Sequence, residues 1–285
     1  MALARSMMRV ATPFLDVSMS NFVAITREHF SSKAWKRNAS YLFARPLNTV
    51  PVVLAELGKL LPAIPIGFLQ AGESFQLVAI TALLPDSNFW VAPDGRWLGE
   101  YIPAVLRTYP FGLVTPEGRS EAILCVDESS ALVVEKGKEE GESSFFDESG
   151  APSQPINDIL NFLSTIEQNR VATAIAVDAL RSAGLIQPWA LSTLHEGKSV
   201  AVSGLFRVDE VALNALDAGL LGALRNTGAL VLAYAQIFSL GQVGLFDKFK
   251  TLQAQLIAQA VSAAQPKNSA QRPGLSISDE IIRFG

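Results

Sequence analysis

The chain predicts an α+β protein: a mostly antiparallel sheet with packed helices in the N-terminal half, then a helix-rich C-terminal half that permits one strand-helix-strand unit. Three observations predict this class. Short apolar runs separated by tight turns fill residues 64–126, which is the pattern of hairpins. Ile156, Ile159, Leu160, Leu163 and Ile166 then repeat at helical spacing. Finally, 49% of the 285 residues are hydrophobic and 18% charged, enough apolar side chain for a real core and too little charge for a disordered chain.

In chain order, Val53, Leu54, Leu57, Leu60 and Leu61 share one helical face after Pro51, with Glu56 at its border. Residues 64–68 and 75–84, separated by Ala71, Gly72 and Glu73, read as a hairpin. Next comes a strand ending near Val91, a Pro93-Asp94-Gly95 turn, a return through Trp97, a short helix near Tyr101 and a stop before Tyr109-Pro110. Strands follow at 111–114 and 122–126. Pro155 opens a helix that ends at Gly184. Residues 199–206 read as a strand, and Asp209 caps a helix carrying Leu213, Leu216, Leu220 and Leu224. Gly228 ends that helix, and the apolar run 229–237 reads as a buried strand, which would permit a parallel crossover. A last helix carries Leu245, Phe249, Leu252, Leu256 and Ile257. The division expected is an N-terminal extension over 1–39, one domain over 40–264 with a sub-boundary near 135–155, and a flexible polar tail over 265–285 bearing Ile281, Ile282 and Phe284 as a docking tag.

The net charge of −4 argues against nonspecific nucleic-acid binding, which favours a basic stripe. Arg5 and Arg9 precede an apolar stretch broken by Pro13 and Asp16, so no secretory leader is read there and the expected location is cytoplasmic, with nonclassical export as the route to a surface. Residues 226–246 carry no charge, but Gly228, Gln236, Ser239, Gly241, Gln242 and Gly244 interrupt them, so no stable membrane span is expected. The single cysteine, Cys125, lies in an apolar run and reads as a buried structural thiol. Gly197-Lys198-Ser199 resembles the end of a phosphate loop, but Ser192 stands where a glycine is required and a strand follows. His29 and His195 lack any paired ligand motif. Asp127-Glu128 and Asp147-Glu148 read as solvated turn carboxylates, and the mixed charges of 135–142 as a mobile loop. No metal or cofactor is expected, and catalysis is the least favoured reading.

The densest feature is residues 88–112, where two Trp, two Tyr, two Phe and two Arg surround one Asp-Gly turn. Asp94, Arg96, Glu100 and Arg107 lie there among Trp90, Trp97, Tyr101 and Tyr109. Such rings stack on sugars or peptides while arginine binds carboxylates, so these eight residues are the candidate ligand or partner site. The alternative is that the rings are core and the arginines tie the turn. A third reading makes Asp94, Glu100 or Asp127 the carboxylates of an enzyme acting on peptides.

This stretch and its flanks resemble the SapC family, bacterial proteins named after a component encoded with surface-layer proteins. The resemblance is carried by PLNTVPVVLAELGKLLPAIPIGF at 46–68, the aromatic segment at 88–112, CVDE at 125–128, FFDESG at 145–150, GLFRVDEVALNAL from Gly204 and the run 228–240. It departs from the family at its two ends and in the charged insert at 135–142. The resemblance implies a noncatalytic accessory or interaction protein of a surface or secretion system, with a protein partner and no cofactor. A peptide- or saccharide-binding module is the alternative.

Overall fold

The computed structural model describes residues 21–116, 121–138, 140–195 and 197–264; the polar tail lies outside them. In chain order the elements are β1 (Phe22–Ala24), α1 (Arg27–Phe30), β2 (Lys33–Lys36), β3 (Thr49–Pro51), α2 (Leu57–Leu60), β4 (Ile66–Ala71), β5 (Ser74–Ile80), α3 (Ala104–Arg107), β6 (Phe111–Val114), β7 (Ile123–Asp127), β8 (Val133–Glu135) and β9 (Glu142–Ser144). There follow α4 (Gln154–Ser182), β10 (Ile186–Pro188), β11 (Leu191–His195), β12 (Lys198–Val202), β13 (Leu205–Val208), α5 (Glu210–Asn214), α6 (Ala218–Asn226), α7 (Ala229–Ser239) and α8 (Leu245–Ala264). All strand pairs among them are antiparallel.

The main sheet runs β10-β13-β4-β5-β3, two smaller sheets run β1-β7-β6 and β8-β2-β9, and β11-β12 stands as a hairpin. The largest apolar cluster joins Ile66, Phe68, Leu77 and Ile80 of the main sheet to Ala176, Val177 and Leu180 of α4 and Leu232 and Ala233 of α7. A second cluster joins Phe30, Trp35, Phe111, Val126 and Phe145 to Ile156 and Leu163 of α4. Helix α4 is therefore the spine of the molecule. Its 29 residues span about 43 Å at ~1.5 Å per residue, long enough for one half to serve each cluster. Pro155 sits in its first turn and Gly184, at φ 70°, closes it while Leu185 donates back to the Leu180 carbonyl.

Residues 21–39, read from the sequence as an extension, contribute β1, α1 and β2 to this body; Phe22–Ala24 pair with Cys125–Asp127. The hairpin at 64–84, the strands at 111–114 and 122–126, and the cap at Asp209, which accepts from Ala212 N at 3.0 Å, stand as expected. The opening helix is shorter than its apolar face predicts: a 3-10 turn over Leu54–Glu56 leads into α2. The strand expected over 199–206 breaks at Gly204, φ 87°, so that β12 and β13 join different sheets.

One expectation is overturned. The run from Ala229 is the helix α7, not a strand, and the parallel crossover it permitted does not form. A continuous apolar run carries no period that separates a strand from a buried helix. Helical geometry settles the matter by placing Leu232, Ala233, Gln236 and Ser239 together on the sheet. Gln236 accepts from Val208 N at 2.9 Å and donates to the Ile66 carbonyl at 3.2 Å, while Ser239 Oγ accepts from Ile66 N at 3.1 Å. With α8, this region makes a helical run, Ala229–Ser262, long and apolar enough by composition to cross a membrane; 39% of its most apolar window is buried in the protein.

Candidate binding cleft

The aromatic corner is built around the Asp94-Gly95 turn. Gly95 holds φ 87°, and a Cβ there would run into Ser40 Oγ, so glycine is required twice over. Its N–H donates to the Ala92 carbonyl at 2.9 Å and its carbonyl accepts from Tyr41 N at 2.7 Å, which docks the 38–44 segment onto the turn. Arg96 Nε donates to Asp94 at 2.7 Å, and that bond holds the exposed Asp94 carboxyl below its ordinary range. Trp90 is fully buried: its ring lies 4.7 Å from Phe249 and its Nε1 donates to the Ala63 carbonyl at 3.3 Å. A Cβ on Gly99 would come within 2.5 Å of that ring, so glycine lets the chain cross over it.

A buried carboxylate fixes the far side of the corner. Glu56 accepts from Val53 N at 3.0 Å, Tyr101 Oη at 2.9 Å and Ala104 N at 2.6 Å. It thereby joins the 3-10 turn, Tyr101 and the start of α3. Trp97 Nε1 donates to the Tyr101 carbonyl at 2.8 Å, bracing the same residue. Burial, reinforced by Glu56, pushes the Tyr101 hydroxyl up to about 12, against the opposing charge of Arg107.

Beyond α3 opens a cleft of about 700 Å³. Its walls include Trp35, Arg37, Asn38 and Tyr41 after β2, Arg107 and Tyr109 after the corner, and Asp158 and Phe162 from α4. The Arg107 guanidinium lies over the rings of Phe162 at 5.0 Å and Tyr101 at 5.7 Å. Tyr109 stacks on Phe43 at 4.0 Å and donates to Asp127 at 3.1 Å. Burial raises the hydroxyls of Tyr41 and Tyr109; Arg107 opposes the rise at Tyr41, and a Ser130 hydrogen bond opposes it at Tyr109. Among the described residues, two buried donors beneath this wall have no partner: Trp35 Nε1, on a side chain left 7% exposed, and Asn38 Nδ2. An unsatisfied buried donor costs ~1–3 kcal/mol; each of these exposes less than 1 Å², so both lie beneath the cleft surface.

Of the eight residues singled out in the sequence, Arg107 and Tyr109 line this cleft. Trp90 is core, Trp97 and Tyr101 are braces, Asp94 and Arg96 tie an exposed turn, and Glu100 is exposed. Sequence reasoning missed Trp35, Arg37, Asn38, Asp158 and Phe162. The stretch Ala34-Trp35-Lys36-Arg37-Asn38, a tryptophan among cations, was the available signal, and it lay in the presumed extension.

The other carboxylates serve the framework. Asp127 also accepts from Ser129 Oγ at 2.6 Å, and Asp147 closes its own turn through Ser149 at 2.7 Å and Ala151 N at 3.0 Å. Glu128 accepts from Lys33 and from His29, contacts that hold it below the usual carboxylate range. Asp94, Glu100 and Asp127 do not line the cleft. Burial pushes the Cys125 thiol up to about 11, which keeps it protonated at neutral pH. Gly197 lies in the turn of the β11-β12 hairpin and Lys198 opens β12, so a strand follows where a phosphate loop needs a helix. The His195 side chain lies outside the described residues. Among the described residues, no group of three His, Cys, Asp or Glu side chains could hold a metal ion.

A protein-family model, SapC, matches residues 25–245. No curated protein and no solved structure matches the chain.

Proposed function

The chain belongs to the SapC family, and on that basis, together with its cleft, we propose that it is a noncatalytic accessory protein that works by holding a peptide or saccharide segment between β2, α3 and α4. The observation that carries this reading is the cleft itself, where Arg37 and Arg107 stand among Tyr41, Tyr109, Phe111 and Phe162. Its volume of about 700 Å³ lies within the ~300–1,000 Å³ typical of ligand sites. Aromatic walls with a few fixed polar groups are the usual lining of such sites. The link to a surface or secretion system rests on the family name.

The test uses the four tryptophans as reporters. Indole N–H resonances are followed while pools of N-acetyl tripeptides and of neutral oligosaccharides are titrated in, with Trp35→Phe identifying the Trp35 peak. Binding in the cleft shifts that peak and leaves Trp90 and Trp189, both in the main core, in place. If no pool moves the Trp35 peak at millimolar concentration, the reading fails.

A further inference from the structure

Resting on that binding reading, we infer that the group recognised in the cleft is a carboxylate, presented by the C-terminal end of a short peptide. The lining is a surplus of donors. Arg37 and Arg107, both exposed, bring their guanidinium N–H groups to it. Arg107 reaches the Tyr101 hydroxyl at 3.4 Å and otherwise meets ring faces. Among the described residues, neither Arg37 nor Arg107 has a carboxylate within 4.0 Å. The one acid of the lining, Asp158, is exposed and already accepts from Gln154 Nε2 at 2.8 Å. Two arginines against one aspartate make the cleft locally positive in a chain of net charge −4.

A carboxylate answers this arrangement because it only accepts, through two oxygens with about four lone-pair directions. It can take an arginine fork through both oxygens, or offer one oxygen to each of two arginines. A neutral sugar fits less well. Each hydroxyl brings a donor with its acceptor, and the guanidinium charge would stay unmatched. Stacking is also largely spent: one face of Tyr109 covers Phe43, and Arg107 lies over Phe162. What the cleft offers beyond its donors is apolar wall from Phe111, Pro155 and Ile159, suited to a peptide side chain beside the carboxylate. A volume of about 700 Å³ admits a few residues, which suits a short peptide ending in its own carboxylate.

The experiment compares three probe pools on the full chain by calorimetry and by the Trp35 indole resonance. These are N-acetyl tripeptides with free carboxyl ends, the same peptides amidated, and short oligogalacturonates, which carry carboxylates on a sugar. The expected result is binding of the free-acid peptides, weakened about tenfold or more by amidation, as befits loss of charge-assisted hydrogen bonds. Arg107→Gln, whose side chain is exposed, should give a similar loss at an unchanged Tm, with part recovered in Arg107→Lys. If Arg107→Gln lowers the Tm, Arg37→Gln and the amidation comparison carry the test. Equal affinity for acid and amide peptides overturns the carboxylate assignment and leaves the binding reading standing. Oligogalacturonate binding with silent peptides overturns the peptide assignment. Silence from every pool, the neutral oligosaccharides included, overturns both.

Discussion

Glu56 shapes the wall of the cleft by fixing Tyr101 and the start of α3, although it does not line it. Its carboxylate accepts three hydrogen bonds inside the protein, two from backbone N–H groups and one from Tyr101. Glu56→Gln replaces one acceptor oxygen with a donor facing donors. It should cost about 2–4 kcal/mol in urea unfolding. A loss below ~0.5 kcal/mol would show that water meets those donors instead. Tyr101 gives a pH signature with a defined sign. Burial, with Glu56 beside it, lifts its hydroxyl from the ordinary tyrosine 10.0 to about 12, so the folded state holds the proton more tightly. That stability is fully present below pH ~10 and is lost as pH rises toward ~12. Urea midpoints at pH 9 and 11 should therefore fall for the native chain and fall less for Tyr101→Phe; parallel slopes would refute the assignment. At this scale the sequence was legible where local crowding marked it, as at Arg107 and Tyr109. It was silent on Trp35, whose place in the cleft depends on strand pairs to Val133 and Ser143 about 100 residues away.

Elements with a clear period were legible, and those without one were not. Helix α4 announced itself through spacing, a proline in the first turn and a glycine at its end. Helix α7 did not, because its residues are apolar on nearly every side. The decisive mark was two polar residues three apart, Gln236 and Ser239, both fully buried. In a strand they would point to opposite faces; in a helix they meet the same carbonyl, that of Ile66. Gln236→Leu keeps the bulk and strands the Val208 N–H. About 2–3 kcal/mol of stability should be lost, read as a lower urea midpoint at constant slope. An unchanged midpoint would mean that α7 is held by its apolar contacts alone.

The whole molecule is closed by contacts between distant parts of the chain. The central strand β4 lies between β5, its hairpin partner, and β13, which arrives from the helix-rich half. The boundary expected near 135–155 therefore does not divide the fold into halves with separate sheets: α4 starts there and serves both main clusters. Chains 1–150 and 151–285 expressed apart should each lack dispersed amide resonances, while their mixture regains them. A well-dispersed spectrum from 1–150 alone would overturn this view. Sequence showed the strands and helices near their true places, but it could not show which edge each strand would take, since edge choice is decided by partners outside any local window.

The β4-β13 pairing has a consequence for synthesis. Leu205 follows Leu69 by 136 residues. A ribosome adding ~5–20 residues per second needs roughly 7–27 s to bridge that interval. Throughout it, the nascent β4-β5 hairpin offers the bare edge of an apolar strand, the kind of surface on which other chains add. The time this protein spends at risk of aggregation is thus set by translation speed between the two strands, and slower codons there would lower its yield.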